Sequence, residues 1–412
     1  MADRSWIVDE MEGMVRRFRA EMAVTERWAY LNHASVSPLP RPARDAIRTF
    51  AEDAAMDGTI RWPEWNESYE LLRILAAAQT GADVEEIARV RSTSEGISMV
   101  AGGYPWQKGD NVVLFEDEFP SNVYPWLNLE SRGVEVRRLP VPELLDYTES
   151  AADPEGLERC GAQIEQTIRE RLLAAMDGKT RIVTLSHVGF RTGYRQNIDR
   201  IVELVHARDA LLCVDAIQSL GVVPLNLRRT PVDFLVADGH KWLMGPEGIG
   251  VMVIRREHLD RIRPTSVGWA SVANSRDFDH FDLTWRPDAG RYEHGSPNML
   301  GAAGLYASWK LLAELKVERI HQAILAITDY AVERLRAIGA KVHSLRSGSH
   351  RSGIVVFSIP GRDPDVLQKL CERNGVVLVR RGRGLRISPH AYNTREEIDR
   401  MIDVLECAGN AS

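Results

Sequence analysis

The chain has 412 residues, 44% hydrophobic and 27% charged, with 52 Lys and Arg against 58 Asp and Glu for a formal net charge of -6. That length exceeds one small core and suits two domains or one large α/β domain with an appendage, while the slight acidity offers no general attraction to nucleic acid or to an anionic membrane surface. Four scattered cysteines (Cys160, Cys213, Cys371, Cys407) form no C-x-x-C pair, which argues against a zinc site or a disulfide framework, for a reducing compartment, and for no metal site at all.

The opening residues, MADRSWIVDEMEGMVRRFRAEM, are charged and amphipathic and lack the apolar centre of a secretory signal. No later run approaches the roughly 20 apolar residues of a membrane span, so a cytoplasmic protein is expected. Residues 1–28 read as a helical segment that packs on a small C-terminal domain. From about residue 29 to 298 short β-branched runs alternate with helical stretches: NVVLF (111–115), VEVRRL (134–139), RIVTLSHV (181–188), LLCVDAI (211–217), VDFLVADG (232–239) and GVMVIRR (250–256), with amphipathic segments such as RQNIDRIVELVHARD (195–209) between them. That alternation predicts an α/β domain with a mostly parallel sheet and helices on both faces. The acidic stretch 142–156 reads as a surface insertion, and 263–298, rich in Trp, Asp, Arg and Gly, as an irregular connection that lines something. From 299 to 412 the pattern changes to long helices, three short strands and a last helix from about Thr394, an α+β appendage.

Two polar residues stand out against this pattern. Asp215 closes LLCVD and Lys241 follows FLVAD, so both project from the carboxyl ends of strands, where open α/β sheets place ligands. Burying an ammonium is costly. A buried acid and a buried lysine beside one ligand suit pyridoxal phosphate: the lysine forms the Schiff base and the carboxylate keeps the pyridine nitrogen protonated. These two residues alone fit a structural ion pair equally well. RSTSEGISMVAGG (91–103) offers hydroxyls at the start of a helix, a ready phosphate site, although Ser and Thr are also ordinary N-caps.

The segments YLNHASVSP, RSTSEGI, VDAIQS, DGHKW, RYEHGSPN and LRISPHAYNTREEID, in that order from about Trp28 to Leu405, resemble the class V aminotransferase family of pyridoxal phosphate enzymes, which includes cysteine desulfurases, selenocysteine lyase, kynureninase and isopenicillin N epimerase. The resemblance implies the type I transferase fold, with a seven-stranded large domain and a smaller C-terminal domain. It makes Lys241 the Schiff-base lysine and the base at the substrate Cα, Asp215 the pyridinium partner, and Gln218 a donor to the ring O3′. Thr93, Ser94 and His240 hold the phosphate, Phe119 covers the ring, and Ser296 reaches the phosphate of the other subunit, which implies a homodimer with shared sites. Arg386 grips the α-carboxylate, for which a planar guanidinium is well shaped; a surface arginine is the alternative, given its neighbours Arg380, Arg381 and Arg383. Asn32, His33 and Arg191 are further candidates for contact with an amino-acid substrate.

Departures from the family pattern narrow the reaction. The loop VRRGRG (379–384), just before the arginine motif, lacks the nucleophilic cysteine of desulfurases, and Cys371 and Cys407 lie elsewhere. Asp238 stands where many relatives have a phosphate-binding serine, and Phe190 where desulfurases have an asparagine. The leading expectation is a β-eliminating lyase of the C-S type; aminotransferase is the alternative, epimerase or racemase the second. A non-catalytic regulator that binds pyridoxal phosphate is the reading from another class, disfavoured by the acidic chain and by the absence of a DNA-binding motif ahead of the domain.

Overall fold

In a computed structural model, residues 3–141, 153–382 and 384–407 are described; most of the expected acidic insertion, 142–152, lies outside the described residues. The branched apolar runs form strands where their composition indicates: β3 (Asn111–Phe115), β4 (Glu135–Leu139), β5 (Thr180–Ser186), β6 (Leu211–Asp215), β7 (Phe234–Asp238) and β8 (Gly250–Ile254). They follow the two-residue β1 (Ala29–Tyr30) and β2 (Ile87–Val90), a strand the sequence reading missed. Its four residues, Ile-Ala-Arg-Val, are too few to show a period.

The large sheet has the order β2-β8-β7-β6-β5-β3-β4. Neighbours from β7 to β4 run parallel, and only β8 is reversed, antiparallel to both β7 and β2. A parallel interior needs cover on both faces, which is why its strands are apolar throughout rather than alternating. In β6, Leu212 and Val214 enter one hydrophobic cluster and Leu211 and Cys213 the other, one on each face. The carboxyl ends of β2, β3, β5, β6 and β7 therefore share one edge of the sheet.

The N-terminal helix α1 (Asp3–Ala20) ends in Phe18, fully buried with its ring 5.1 Å from His390 and 5.5 Å from Tyr392. Helices α2 (Arg41–Met56) and α3 (Trp62–Thr80) pack against a later helix, Met299–Leu315. Helix α4 (Thr93–Gly103) follows β2 directly; Ser92 caps it by accepting a hydrogen bond from the Glu95 N–H at 3.2 Å. The stretch 263–298 contains only short 3-10 turns, as its composition indicated.

The C-terminal part holds an antiparallel sheet, β12-β13-β10-β9, made of β9 (Lys341–Val342), β10 (Val355–Ser358), β12 (Val379–Arg381) and β13 (Gly384–Ile387). Two connections tie the N-terminal segment into it. β1 pairs in parallel with β11 (Val376–Val377), and Asn32 bridges to Ser388. These pairings carry the loop after β1 to the foot of β13, where Arg386 sits. No helix among the described residues is long and apolar enough to cross a membrane.

Candidate active site

Lys241 follows β7 by three residues, and its side chain is only 7% exposed. Burial is the main cause of its depressed pKa, about 8. The Asp215 carboxylate opposes that shift, and the Arg386 charge adds to it. Asp215, at the end of β6, is 2% exposed, and burial lifts it to about 6 against the opposing effects of the Ile217 N–H, 2.9 Å away, and of Lys241. The amine is thus partly neutral near physiological pH, and the acid is short of donors. The Lys241 Nζ lies 5.2 Å from the centroid of the Phe119 ring, which meets Phe190 edge to face at 5.1 Å.

Beside them, the N-terminus of α4 packs on β7. The Asp238 N–H donates to Thr93 Oγ1 at 3.2 Å, and Ser94 Oγ donates to Ser121 Oγ at 2.7 Å. Gly96 makes that packing possible, since a Cβ there would fall 2.5 Å from Val236 Cγ1. Asp238 Oδ1 and His240 Nδ1 lie 3.0 Å apart, but their alignment is poor and neither atom has a hydrogen-bond partner. The proximity of His240, together with the effect of Asp238 in raising the Lys241 pKa, accounts for how a carboxylate is tolerated here.

Arg386 is fully buried on β13. Its Nη1 donates to the Phe190 carbonyl at 2.9 Å, and its Nη2 donates to Ser35 Oγ at 2.7 Å and, more weakly, to Asn32 Oδ1 at 3.4 Å. Its Nε has no partner, and no carboxylate pairs with it among the described residues. Burial, then the charge of Arg381, push it below the ordinary arginine range, yet a guanidinium stays charged at neutral pH. A buried cation without a counter-charge is the signature of a site awaiting an anion.

The structure thus brings Lys241, Asp215, Phe119, Arg386 and Asn32 together, with Thr93, Ser94 and His240 at the neighbouring helix start. Gln218 is buried near them; its Nε2 donates to the Ala34 carbonyl at 3.0 Å and its Oε1 accepts from Trp242 Nε1 at 2.8 Å, leaving one N–H of the amide uncommitted. Arg191 is exposed, with its guanidinium 5.6 Å from the Phe190 ring. His33 corrects the expectation of substrate contact. It is fully buried among Tyr30, Trp242, His390 and Tyr392, with Nδ1 on the Ser388 carbonyl at 2.9 Å and Nε2 on Tyr392 Oη at 2.8 Å, so it fastens its loop instead of facing the site. Ser296 adopts φ 46° and lines a cleft of about 570 Å³ with Trp62, Arg91 and Trp269; Lys241 is not among that cleft's walls. Ser35 and the Phe190 carbonyl were not legible beforehand, because their role comes from contacts across about 350 and 200 residues of chain.

The loop just before Arg386 carries no cysteine to act as a nucleophile. Cys213 and Cys371 are sealed in the core, and burial lifts the Cys371 thiol to about 12 and the Cys213 thiol higher still. Cys160 lies in the helix Pro154–Ala175 and Cys407 at the end of the last helix.

The residues fit pyridoxal phosphate on their own terms. There is a buried acid for a ring N–H⁺, a depressed lysine for the aldehyde, and a helix start with the Thr93 and Ser94 hydroxyls and nearby His240 for a phosphate. A strand-end lysine and acid on a mostly parallel sheet, joined by a helix start for a phosphate and a buried arginine without a carboxylate, are the arrangement of a pyridoxal phosphate enzyme of the α/β class. The comparisons agree. The family Aminotransferase class-V matches residues 29–401, and the chain belongs to it. A probable cysteine desulfurase from Methanothermobacter thermautotrophicus is 29% identical over 409 residues, covering 94% of this chain and 96% of that protein. An uncharacterized aminotransferase, YcbU, of Bacillus subtilis is 26% identical, covering 95% and 98%. Among solved structures, the cystine C-S lyase C-DES in complex with cysteine persulfide superposes with a TM-score of 0.81 at 23% identity, over 92% of this chain and 97% of that one. The chain is a pyridoxal-phosphate-dependent enzyme of this family.

Proposed function

We propose that this enzyme is a lyase that eliminates a sulfur substituent from Cβ of an α-amino acid. The carrying observation is the pair formed by Lys241, a buried amine depressed to about 8, and Arg386, a buried guanidinium without a carboxylate. Arg386 takes the substrate α-carboxylate, with Ser35 and Asn32 fixing the plane of its fork. Lys241 would hold the cofactor covalently and, once free, would be the base that takes the Cα proton. Asp215 would pair with the pyridine nitrogen, Gln218 would offer its remaining N–H to the ring oxygen, and Thr93, Ser94 and His240 would hold the phosphate. Phe119, with its ring 5.2 Å from the Lys241 Nζ, would cover one face of the ring. Pyridoxal phosphate supplies the electron sink that stabilises negative charge at Cα. From a cysteine S-conjugate, loss of the Cβ thiolate, which takes up a proton, and hydrolysis of the enamine left behind would give thiol, pyruvate and ammonia. The lack of a nucleophilic cysteine argues against persulfide formation on the protein itself, while the named C-S lyase relative supports elimination.

Transamination is the second reading. The aminotransferase relative favours it, as does the cation-rich surround of Arg386, which suits a second carboxylate. The same proposal makes the enzyme a homodimer, with Ser296 serving the partner's phosphate, and divides the chain at about 28/29 and 298/299. Its four scattered cysteines, without a C-x-x-C pair, fit a reducing, cytoplasmic compartment.

The test is incubation of the purified holoenzyme with amino acids that include cysteine S-conjugates. Pyruvate, ammonia and free thiol accumulating catalytically while the yellow band persists is the expected result. Loss of the band to the pyridoxamine form, with one equivalent of keto acid, replaces the lyase with a transaminase.

A further inference from the structure

Adjacent arginines at the end of β12 spend their charges differently. Arg380 turns outward and pairs with Asp365 at 2.9 Å. Arg381 is half-buried, its Nε has no hydrogen-bond partner, and it makes no ion pair among the described residues.

The strand register says where Arg381 points. β12 and β13 are antiparallel, with Val379 opposite Arg386 and Arg381 opposite Gly384. Opposed residues share a face and alternate residues along a strand share it too, so Arg381 and Arg386 project to the same side, on diagonal positions. Gly384 gives Arg381 no side chain to pair with. Arg191 approaches from the other direction, directly after Phe190, whose carbonyl anchors Arg386. It too makes no ion pair among the described residues; Asp117, half-buried, feels its charge but is raised to about 6 by burial all the same. Arg381 and Arg386 thus share one face of the sheet within range of Lys241, with Arg191 close enough to act on Arg381, and their mutual repulsion registers as a lowering of Arg386 by Arg381 and of Arg381 by Arg191.

We infer that Arg381, assisted by Arg191, is a second anion subsite beside Arg386, and that the substrate is an α-amino acid whose side chain ends in an oxyanion such as a carboxylate or sulfinate. This rests on Arg386 taking the α-carboxylate. A second anion relieves the repulsion among the three arginines, and a planar oxyanion offers Arg381 two parallel hydrogen bonds. A neutral side chain of the same length leaves Arg381 half-buried and unpaired, which is how the site discriminates.

The test needs ligands that bind without reacting. Succinate and butyrate have equal carbon counts, lack an amine, and differ in one carboxylate, so calorimetric titration of the holoenzyme with each isolates the second subsite. Succinate is expected to bind about 10-fold tighter or more than butyrate, Arg381→Gln to bring that ratio near one, and Arg381→Lys to restore part of it. Because Arg381 is half-buried, the exposed Arg191→Gln is a second variant and is expected to lower the ratio as well. Equal binding of the two ligands to the parent enzyme overturns the inference and leaves Arg386 as the α-carboxylate site. Survival of the succinate preference in both glutamine variants also overturns it. If neither ligand binds, the reading of Arg386 falls with it.

Discussion

Lys241 costs the empty fold stability, and the sign of that cost is measurable. The unfolded lysine stays protonated up to about 10.5, whereas the folded one releases its proton near 8. Between those values the unfolded state binds more protons, so stability rises with pH, and below about 8 the whole penalty is present. The apoprotein carrying Lys241→Met is therefore expected to be more stable than the parent at pH 7, by up to roughly 3 kcal/mol. Urea melts of both apoproteins should show the gain shrinking from about pH 8 to 10.5; a gain that ignores pH rules out the depressed amine. For the holoenzyme, Lys241→Ala should lose the yellow band. Arg386→Lys keeps the charge but loses the fork, so KM is expected to rise about 10-fold or more with a smaller change in kcat, read from steady-state kinetics on any accepted substrate.

At the scale of elements, the site depends on how closely α4 meets β7. Gly96 stands at that contact, where a Cβ would come within 2.5 Å of Val236, a fully buried residue of the interior strand β7. Val236 cannot retreat without disturbing the strands on either side, so the helix must move, and with it the Thr93 and Ser94 end. Gly96→Ala is expected to cost about 1–3 kcal/mol and to weaken cofactor affinity more than Ser92→Ala, which removes a cap worth about 1 kcal/mol. Fluorescence titration of the apoproteins with pyridoxal phosphate compares them; equal affinities would remove α4 from the phosphate site.

For the whole molecule, the exposed apolar side chains are informative. Phe278, Phe281, Leu283 and Trp269 lie exposed on the segment leading to Ser296, with Phe281 98% exposed. An apolar surface of that kind marks an interaction site, and the cleft containing Ser296 adjoins Trp269. For the proposed homodimer, Phe281→Glu together with Phe278→Glu is expected to give a monomer in sedimentation and to lower activity, since Ser296 would no longer reach the other subunit's phosphate site. A monomeric parent protein would remove the shared-site arrangement.

The sequence by itself determined the sheet strands with apolar composition, the strand-end positions of Asp215 and Lys241 and, through six ordered motifs, the family. Each of these is written in local order: period, composition, or residues a few positions apart. It did not reveal β2, whose four residues carry too little pattern, nor that His33 turns into an aromatic cluster while Asn32, its neighbour, faces the site. Only tertiary structure decided that Arg386 is buried without a counter-charge, that Ser35 and the Phe190 carbonyl hold it, and that Arg381 shares its face while Arg380 does not. Those facts depend on strand register and on segments hundreds of residues apart meeting at one edge, and no local pattern encodes which of two adjacent arginines ends up inside.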